Sequence, residues 1–104
     1  RFTIPAGAAG RYLIGGTVAV AQRTDYQLLA AAILVNGATA ECATSMTPVA
    51  SGYGQVLNPS TIYSFAVADF VELLVYQDNT AGAPIDVLSL SNYSPEFYIQ
   101  YLGA

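Results

Sequence analysis

The sequence predicts an all-β domain, built as a sandwich or a barrel of short strands. Glycine, proline, asparagine and serine recur at short intervals, and the stretches between them are rich in β-branched and aromatic residues, which is typical of strands joined by tight turns. Residues 69–78 alternate with the period of a strand and are apolar on both faces. Residues 96–102 are rich in aromatic side chains and are the expected closing strand.

The predicted strands follow one another with short connections. Asn36-Gly37 is the clearest hairpin signal, because both residues tolerate the positive φ of a type I′ turn. The strand at residues 38–49 is the weakest of the set, and the sequence leaves open whether it is continuous or broken. The complete set comprises residues 11–22, 26–35, 38–49, 55–57, 60–67, 69–78, 85–90 and 96–102.

The first long strand, at residues 11–22, has one face suited to a core and one face of small side chains. The core face carries Tyr12, Ile14, Gly16, Val18 and Val20, and the small face carries Leu13, Gly15, Thr17, Ala19 and Ala21. Small side chains allow the close approach of another sheet or chain. The strands at residues 26–35 and 69–78 are apolar on both sides, so we expect a second subunit to cover the side that their own domain leaves free.

Two of these segments also have features that are typical of a helix. Residues 28–35 are good helix formers, and Val67, Phe70, Val71 and Leu74 fit an i, i+3, i+4, i+7 stripe. Both segments are short, end at turn residues and lie among β-branched and aromatic residues. These boundaries favour strands in both places.

The composition argues against several classes of function. Hydrophobic residues make up 54% of the 104 residues and charged residues only 10%, whereas about 25% charged is usual for a globular domain. We therefore expect one domain, residues 1–104, with apolar surface hidden in an assembly. The net charge of −4 and the lack of lysine argue against binding to nucleic acid or to an anionic membrane surface. The longest apolar run, residues 28–35, is far shorter than the about 20 residues that span a bilayer.

Four blocks of the chain resemble the complement-one-q and tumour-necrosis-factor superfamily of trimeric jelly rolls. Phe2-Thr3-Ile4-Pro5 and Gly10-Arg11-Tyr12 are similar to that family's phenylalanine-threonine-x-proline and glycine-x-tyrosine block. Residues 32–37 resemble its hairpin, residues 69–75 its aspartate-x-valine-x-leucine strand, and residues 94–103 its closing strand. The blocks follow the family's order along essentially the whole chain. The valine-glutamate-leucine and tyrosine-glutamine segments of this strand, at residues 71–73 and 76–77, are most similar to the bacterial and bacteriophage branch of the superfamily.

The resemblance implies an all-β jelly-roll β-sandwich that assembles as a homotrimer. The family has one or more strands before the phenylalanine-threonine block. The chain is therefore expected to lack its first strands and to be the C-terminal part of a longer protein, unless a neighbouring chain fills that sheet edge. A Gly-x-y collagen stalk is absent, so the role of the animal defence collagens is not supported. The expected trimer interface comprises Phe70, Glu72, Leu74, Tyr76, Tyr98 and Tyr101.

Glu72 is a charged residue that stands among the apolar side chains of Phe70, Leu74 and Tyr76 on one face of the strand at residues 69–78. If that face lines a threefold axis, three carboxylates converge there and need a partner such as Arg11 or Arg23, a bound cation, or protonation. Alternatively, the side chain reaches water at the rim of the sheet. The sequence leaves both interpretations open.

The residue types give no indication of catalysis or of a cofactor. Without histidine the chain has no Ser-His-Asp or Cys-His arrangement and no zinc site of the usual kind. The seven acidic residues are scattered. Asp69 precedes a strand and is expected to accept hydrogen bonds from backbone N–H groups of its turn. Asp78 and Asp86 are weak candidates for calcium ligands, and a solvated hairpin turn is the simpler interpretation.

We therefore expect a non-catalytic binding or structural module. The resemblance implies a bacteriophage fibre or surface-attachment domain, extracellular or on the virion surface, whose partners are its own copies and a host glycan or protein. Tyr53, Asn92 and Tyr93 fall in predicted loops and are candidate ligand contacts, unless the tyrosines only anchor their loops to the sheet. The alternatives are a capping or cement role among other virion proteins and an adhesion domain of a larger bacterial protein.

Overall fold

The computed structural model describes residues 1–46, 55–89 and 94–104. Within these residues the chain forms β-strands and no helix, so the strand interpretation of residues 28–35 and 69–78 is confirmed and the helical alternative is wrong. The strands are β1 (Phe2–Thr3), β2 (Gly10–Val20), β3 (Tyr26–Val35), β4 (Thr39–Met46), β5 (Gln55–Leu57), β6 (Ser60–Phe65), β7 (Phe70–Asn79) and β8 (Glu96–Gly103).

The described strands form two antiparallel sheets, arranged as a β-sandwich. The first sheet has the order β1-β7-β3-β4. In the second sheet β2 is central and pairs with β8 along one edge and with β6, then β5, along the other. Apart from the β3–β4 hairpin and the short break between β5 and β6, each connection passes from one sheet to the other.

The pairing register fixes which side chains face the core, because directly paired residues of antiparallel strands share a face. On β2, Ile14 is fully buried and Tyr12 is only 5% exposed, so the predicted core face is confirmed. On β7, Val71 is buried, whereas Leu74 and Tyr76 on the opposite face are about half exposed. The predicted alternation of residues 69–78 is confirmed.

The core lies between the sheets as two groups of buried side chains. Leu73 of β7 packs against both groups and joins them into a continuous layer. The burial of this layer is the main favourable contribution to folding. The first group is Ile4, Tyr12, Ile14, Ile33, Val35, Phe65 and Val71, and the second is Val18, Val20, Tyr26, Leu29, Ala31 and Leu57.

The hairpin at Asn36-Gly37 has the predicted turn. Asn36 and Gly37 have φ values of 54° and 73°, the positive values that a type I′ turn requires. The side chain of Asn36 also joins the turn to the start of β7, because its Nδ2 donates to Asp69 Oδ1 at 3.0 Å and its Oδ1 accepts from the Phe70 N–H at 3.0 Å. The hairpin is thereby fixed to a strand that is distant in the sequence.

Asp69 has the turn-capping role predicted for it. Its Oδ2 accepts a hydrogen bond from the Ala66 N–H at 2.8 Å, across a turn in which Ala68 has a φ of 73°. The Asn36 side chain and the Ala66 N–H lower the pKa of Asp69, because both bonds favour the ionised carboxylate. This cap ends β6 at Phe65, two residues before the predicted boundary.

The strand predicted at residues 85–90 is wrong for its described part. Residues 85–89 form a single isolated bridge, between Val87 and Val20, with backbone bonds from Ala21 N to Asp86 O at 2.9 Å and from Leu88 N to Ala19 O at 2.8 Å. The reason lies in β2, because β8 already occupies residues 11–17 of the same edge. Only the end of β2 is left for this segment.

Candidate functional site

The outer faces of the two sheets are the most unusual surfaces of the described chain. Each carries large apolar side chains that no described strand covers. The most exposed of them is Ile62 at 59%, followed by Tyr76 at 51%. Contiguous apolar patches of this kind mark interaction surfaces more often than isolated exposed residues do.

The second-sheet outer face is built on the small side of β2. Leu13 pairs with Ile62 of β6 on one side and with Gln100 of β8 on the other. Gly15 pairs with Tyr98, and a Cβ atom at position 15 would collide with the Tyr98 ring. Glycine is therefore required for the end of this tyrosine side chain, 46% exposed, to lie over position 15.

Two charges of opposite sign stand at the two ends of this face. Arg11 is at one end of β2, and Glu96 pairs with Thr17 near the other end. Arg11 and Thr17 are six residue steps apart along the β-strand, which corresponds to about 20 Å. Both charged side chains are exposed, and neither belongs to an ion pair within the described residues. The face therefore has charged ends and an apolar middle.

The first-sheet outer face is built from β7 and β3. Its β7 residues are Phe70, Glu72, Leu74, Tyr76 and Asp78. The register pairs Leu34 with Glu72, Ala32 with Leu74, and Ala30 with Tyr76, so small side chains flank the large ones in the middle of the face. At one end the Arg1 guanidinium lies 4.1 Å from the centre of the Phe70 ring, a cation–π contact.

The six residues predicted for a trimer interface do not share one surface. Phe70, Glu72, Leu74 and Tyr76 lie on the first-sheet outer face, and Tyr98 lies on the second-sheet outer face. Tyr101 pairs with Tyr12, and their ring centres are 5.1 Å apart on the core side of the second sheet. The ligand-contact candidates Tyr53, Asn92 and Tyr93 lie outside the described residues, and their role stays a prediction.

Ile62 was not among the predicted site residues. In Ser60–Phe65 the alternate face carries Thr61, Tyr63 and Phe65, which together are bulkier than Ser60, Ile62 and Ser64. The bulkier set faces the core, where the rings of Tyr63 and Phe65 meet edge to face with their centres 4.8 Å apart. The difference in side-chain volume between the two faces of β6 is the signal in the sequence that could have identified Ile62 as an outward residue.

The oxygen-rich loop after β7 is organised by its own hydrogen bonds. Asn79 is 4% exposed, and its Nδ2 donates to Ala83 O at 2.7 Å while its Oδ1 accepts from Ala83 N at 2.9 Å. Asp78 lies on the first-sheet outer face, and Asp86 contributes its backbone carbonyl to the bond with Ala21. Within the described residues no three His, Cys, Asp or Glu side chains are close enough together to hold a metal ion.

An unpredicted cluster surrounds Asp25 at the turn before β3. Arg23 Nε donates to Asp25 Oδ1 at 2.8 Å and Arg23 Nη2 donates to Oδ2 at 2.9 Å. Asp25 Oδ2 also accepts from Ala81 N at 3.1 Å and from Thr80 Oγ1 at 3.2 Å. The carboxylate thus joins the turn before β3 to the turn after β7, and the Arg23-x-Asp25 spacing in a predicted turn is the signal that could have indicated it.

This cluster borders an open depression with a volume of about 550 Å³, lined by Gln22, Arg23, Thr24 and Asp25. The hydrogen bonds from Arg23 are the largest cause that lowers the pKa of Asp25 from 3.8 to about 2, and the same bonds raise the pKa of Arg23. The two charges neutralise each other. The arrangement therefore stabilises two turns and presents no free acid or base for chemistry.

The Asp25 cluster is expected to weaken in acid. The pKa of Asp25 is about 2 in the folded chain, and its ordinary value is 3.8. The contribution of this carboxylate to stability is therefore present above pH 3.8 and is lost as the pH falls towards 2. We expect the melting temperature of the wild type to fall more steeply across this window than that of Asp25→Asn, which has no carboxylate to protonate. Parallel pH profiles, measured by thermal unfolding, would contradict this assignment.

No helix in the described residues is long and apolar enough to cross a membrane. Comparisons of the chain with protein-family models, with curated proteins and with solved structures found no match.

Proposed function

We propose that the chain is a non-catalytic, self-assembling jelly-roll module, whose copies associate as a homotrimer through the second-sheet outer face. The observation that carries the proposal is this face itself, where Ile62 is 59% and Tyr98 is 46% exposed next to Leu13. In a single chain these side chains contact water. Their burial between copies would be favourable by about 25 cal/mol for each Å² of apolar surface.

The strand order supports the jelly-roll part of the proposal. A jelly roll is a double sheet whose strands wrap around the core in Greek keys. Here five of the seven connections between the described strands cross between the sheets, and strands distant in the sequence, such as β1 and β7 or β2 and β8, lie side by side. Among the described strands β8 pairs with β2 alone, which leaves an edge for a further strand of the same sheet.

The composition of the second-sheet outer face supports assembly in preference to catalysis. Interfaces are enriched in tyrosine and arginine and depleted in lysine, glutamate and aspartate at their centres. This face has Tyr98 near its middle, Arg11 at one end and Glu96 at the other. In a closed ring of three copies the contacts are heterologous, and different parts of one surface meet.

The biological role belongs to the same proposal. The resemblance to the bacteriophage branch supports a fibre or attachment module on a virion or cell surface, which would present Tyr53, Asn92 and Tyr93 to a host glycan or protein. A capping or cement role would use the same assembly without these loops. Both roles require the chain to associate with itself, so self-association is the step to test first.

The native mass of the chain, measured by light scattering after size-exclusion chromatography, tests the proposal. In dilute protein we expect the mass of three chains for the wild type and the mass of one chain for Ile62→Glu, because the contact would bury unpaired carboxylates, each at a cost of several kcal/mol. The matched control is Val67→Glu, at a residue 48% exposed in the turn between β6 and β7, which should remain trimeric. A monomeric wild type, or a trimeric Ile62→Glu, would contradict the proposal.

A further inference from the structure

The first-sheet outer face has the pattern of a surface that fits itself. We propose that it binds the same face of a second copy across a twofold axis, with the two β7 strands antiparallel and Leu74 on the axis. This contact goes beyond the proposed trimer, because it uses the opposite side of the sandwich and would link chains or trimers laterally.

The proposed axis follows from the positions on β7. The outward residues are Phe70, Glu72, Leu74, Tyr76 and Asp78, and Leu74 is the middle of the five. A twofold axis that passes perpendicular to the strand at Leu74 places residue 72 of one copy opposite residue 76 of the second copy. It also places residue 70 of one copy opposite residue 78 of the other. Each end lies about 13 Å from the axis.

At residues 72 and 76, the pair nearer to the axis, this arrangement places a hydrogen-bond donor opposite an acceptor. Glu72 would face Tyr76 of the second copy, so that a carboxylate accepts from a phenolic O–H, and symmetry makes the bond twice. Within the described residues neither side chain takes part in a hydrogen bond or an ion pair, and Tyr76 is 51% exposed. The carboxylate on an apolar face thus gains a partner.

At the outer level the arrangement pairs opposite charges. The Arg1 guanidinium is held over the Phe70 ring at 4.1 Å, at one end of the face. Asp78 is exposed at the other end. The twofold axis brings each guanidinium to the Asp78 of the other copy. With the strands parallel instead, Asp78 would face Asp78 and Glu72 would face Glu72, which like-charge repulsion disfavours.

The middle of the face suits close packing of two sheets. Leu74 is 46% exposed, and its neighbour across the sheet is Ala32, which is 7% exposed. Ala30 is the neighbour of Tyr76. These alanines leave room beside the larger side chains, so that Leu74 of one copy can pack against Leu74 of the other at the usual sheet separation of about 10 Å.

The proposal is tested in the Ile62→Glu variant, in which the proposed trimer contact is broken. We expect this variant to form a dimer as its concentration is raised, with an affinity that falls as salt is added. Asp78→Arg in the same background should weaken the dimer by about tenfold, because at both ends of the contact the attraction between opposite charges becomes a repulsion between two guanidinium groups. Adding Arg1→Asp should restore most of the lost affinity, and sedimentation equilibrium measures all three.

The outcomes separate the two contacts. An Ile62→Glu chain that stays monomeric at high concentration overturns the twofold contact and leaves the trimer proposal intact. A dimer that is insensitive to Asp78→Arg, or one that Arg1→Asp does not rescue, overturns the proposed pairing. Val67→Asp is the control for a charge added elsewhere, and it should leave the dimer unchanged. If the wild type forms no trimer but does form a dimer that responds to the charge exchange, only the trimer proposal fails.

Discussion

Replacing Leu29 by alanine is expected to lower the free energy of unfolding by about 2–5 kcal/mol. Leu29 lies on β3 and is fully buried in the second core group, between the two sheets. Truncation removes apolar contacts and leaves a cavity that strands of two sheets cannot easily close. Since each kcal/mol shifts the melting temperature of a domain of this size by about 4–8 °C, the loss should be plain in thermal unfolding.

Leu28 provides the matched control for this variant. It precedes Leu29 on the same strand but points away from the core and is 39% exposed. Leu28→Ala is expected to change the free energy of unfolding by less than about 1 kcal/mol, since little buried surface is lost. Both variants are to be measured by urea unfolding at concentrations where the chain is monomeric. Equal losses for the two leucines would contradict the assignment of the core face of β3.

Alternation within a strand is enough to predict which residues share a face, but not always which face is buried. On β2 the large residues alternate with small ones, so the core face could be predicted and is confirmed. On β3 both faces are apolar, and only the sheet opposite decides that Leu29 is inside and Leu28 outside. That choice depends on pairing between distant strands, which no local pattern specifies.

The candidate interface shows the same limit. Tyr98 and Tyr101 are three residues apart, so alternation alone places them on opposite faces of β8. Alternation within a strand does not show whether Tyr98 lies on the same surface as the outward residues of β7, because that depends on the sheet to which each strand belongs. β7 pairs with β3 and β8 pairs with β2, so these residues lie in different sheets. The sequence indicates apolar outward faces, but not that there are two of them on opposite sides of the sandwich.

The turns show where a local signal is sufficient. Asn36-Gly37 predicts a type I′ hairpin and Asp69 predicts a capped turn, and both are confirmed because each depends on the conformation of a few neighbouring residues. The hydrogen bond between Asn36 and Asp69 was not predictable. It exists only because β3 lies beside β7, so that the end of one strand meets the start of the other.

Gly16→Ala is expected to destabilise the fold by about 1–3 kcal/mol, although alanine is normally the better residue inside a strand. Gly16 faces the core on β2, and a Cβ atom there would lie 2.7 Å from the backbone oxygen of Glu96 and 2.8 Å from Cδ2 of Leu73. Leu73 can move only by disturbing both core groups, and Glu96 can move only if β8 shifts at its first residue.

Gly15→Ala separates this effect from the general properties of glycine. Gly15 is the preceding residue on the same strand, but the three atoms nearest to its added Cβ all belong to the outer part of the Tyr98 side chain, which can swing into solvent. We expect the monomer to lose less than about 1 kcal/mol of stability. Any self-association through the second-sheet outer face should weaken as the tyrosine is displaced. Urea unfolding of dilute protein and light scattering of concentrated protein measure the two effects separately. A loss of monomer stability as large as that of Gly16→Ala would mean that Tyr98 is fixed in place, and that close packing at this glycine stabilises the single chain.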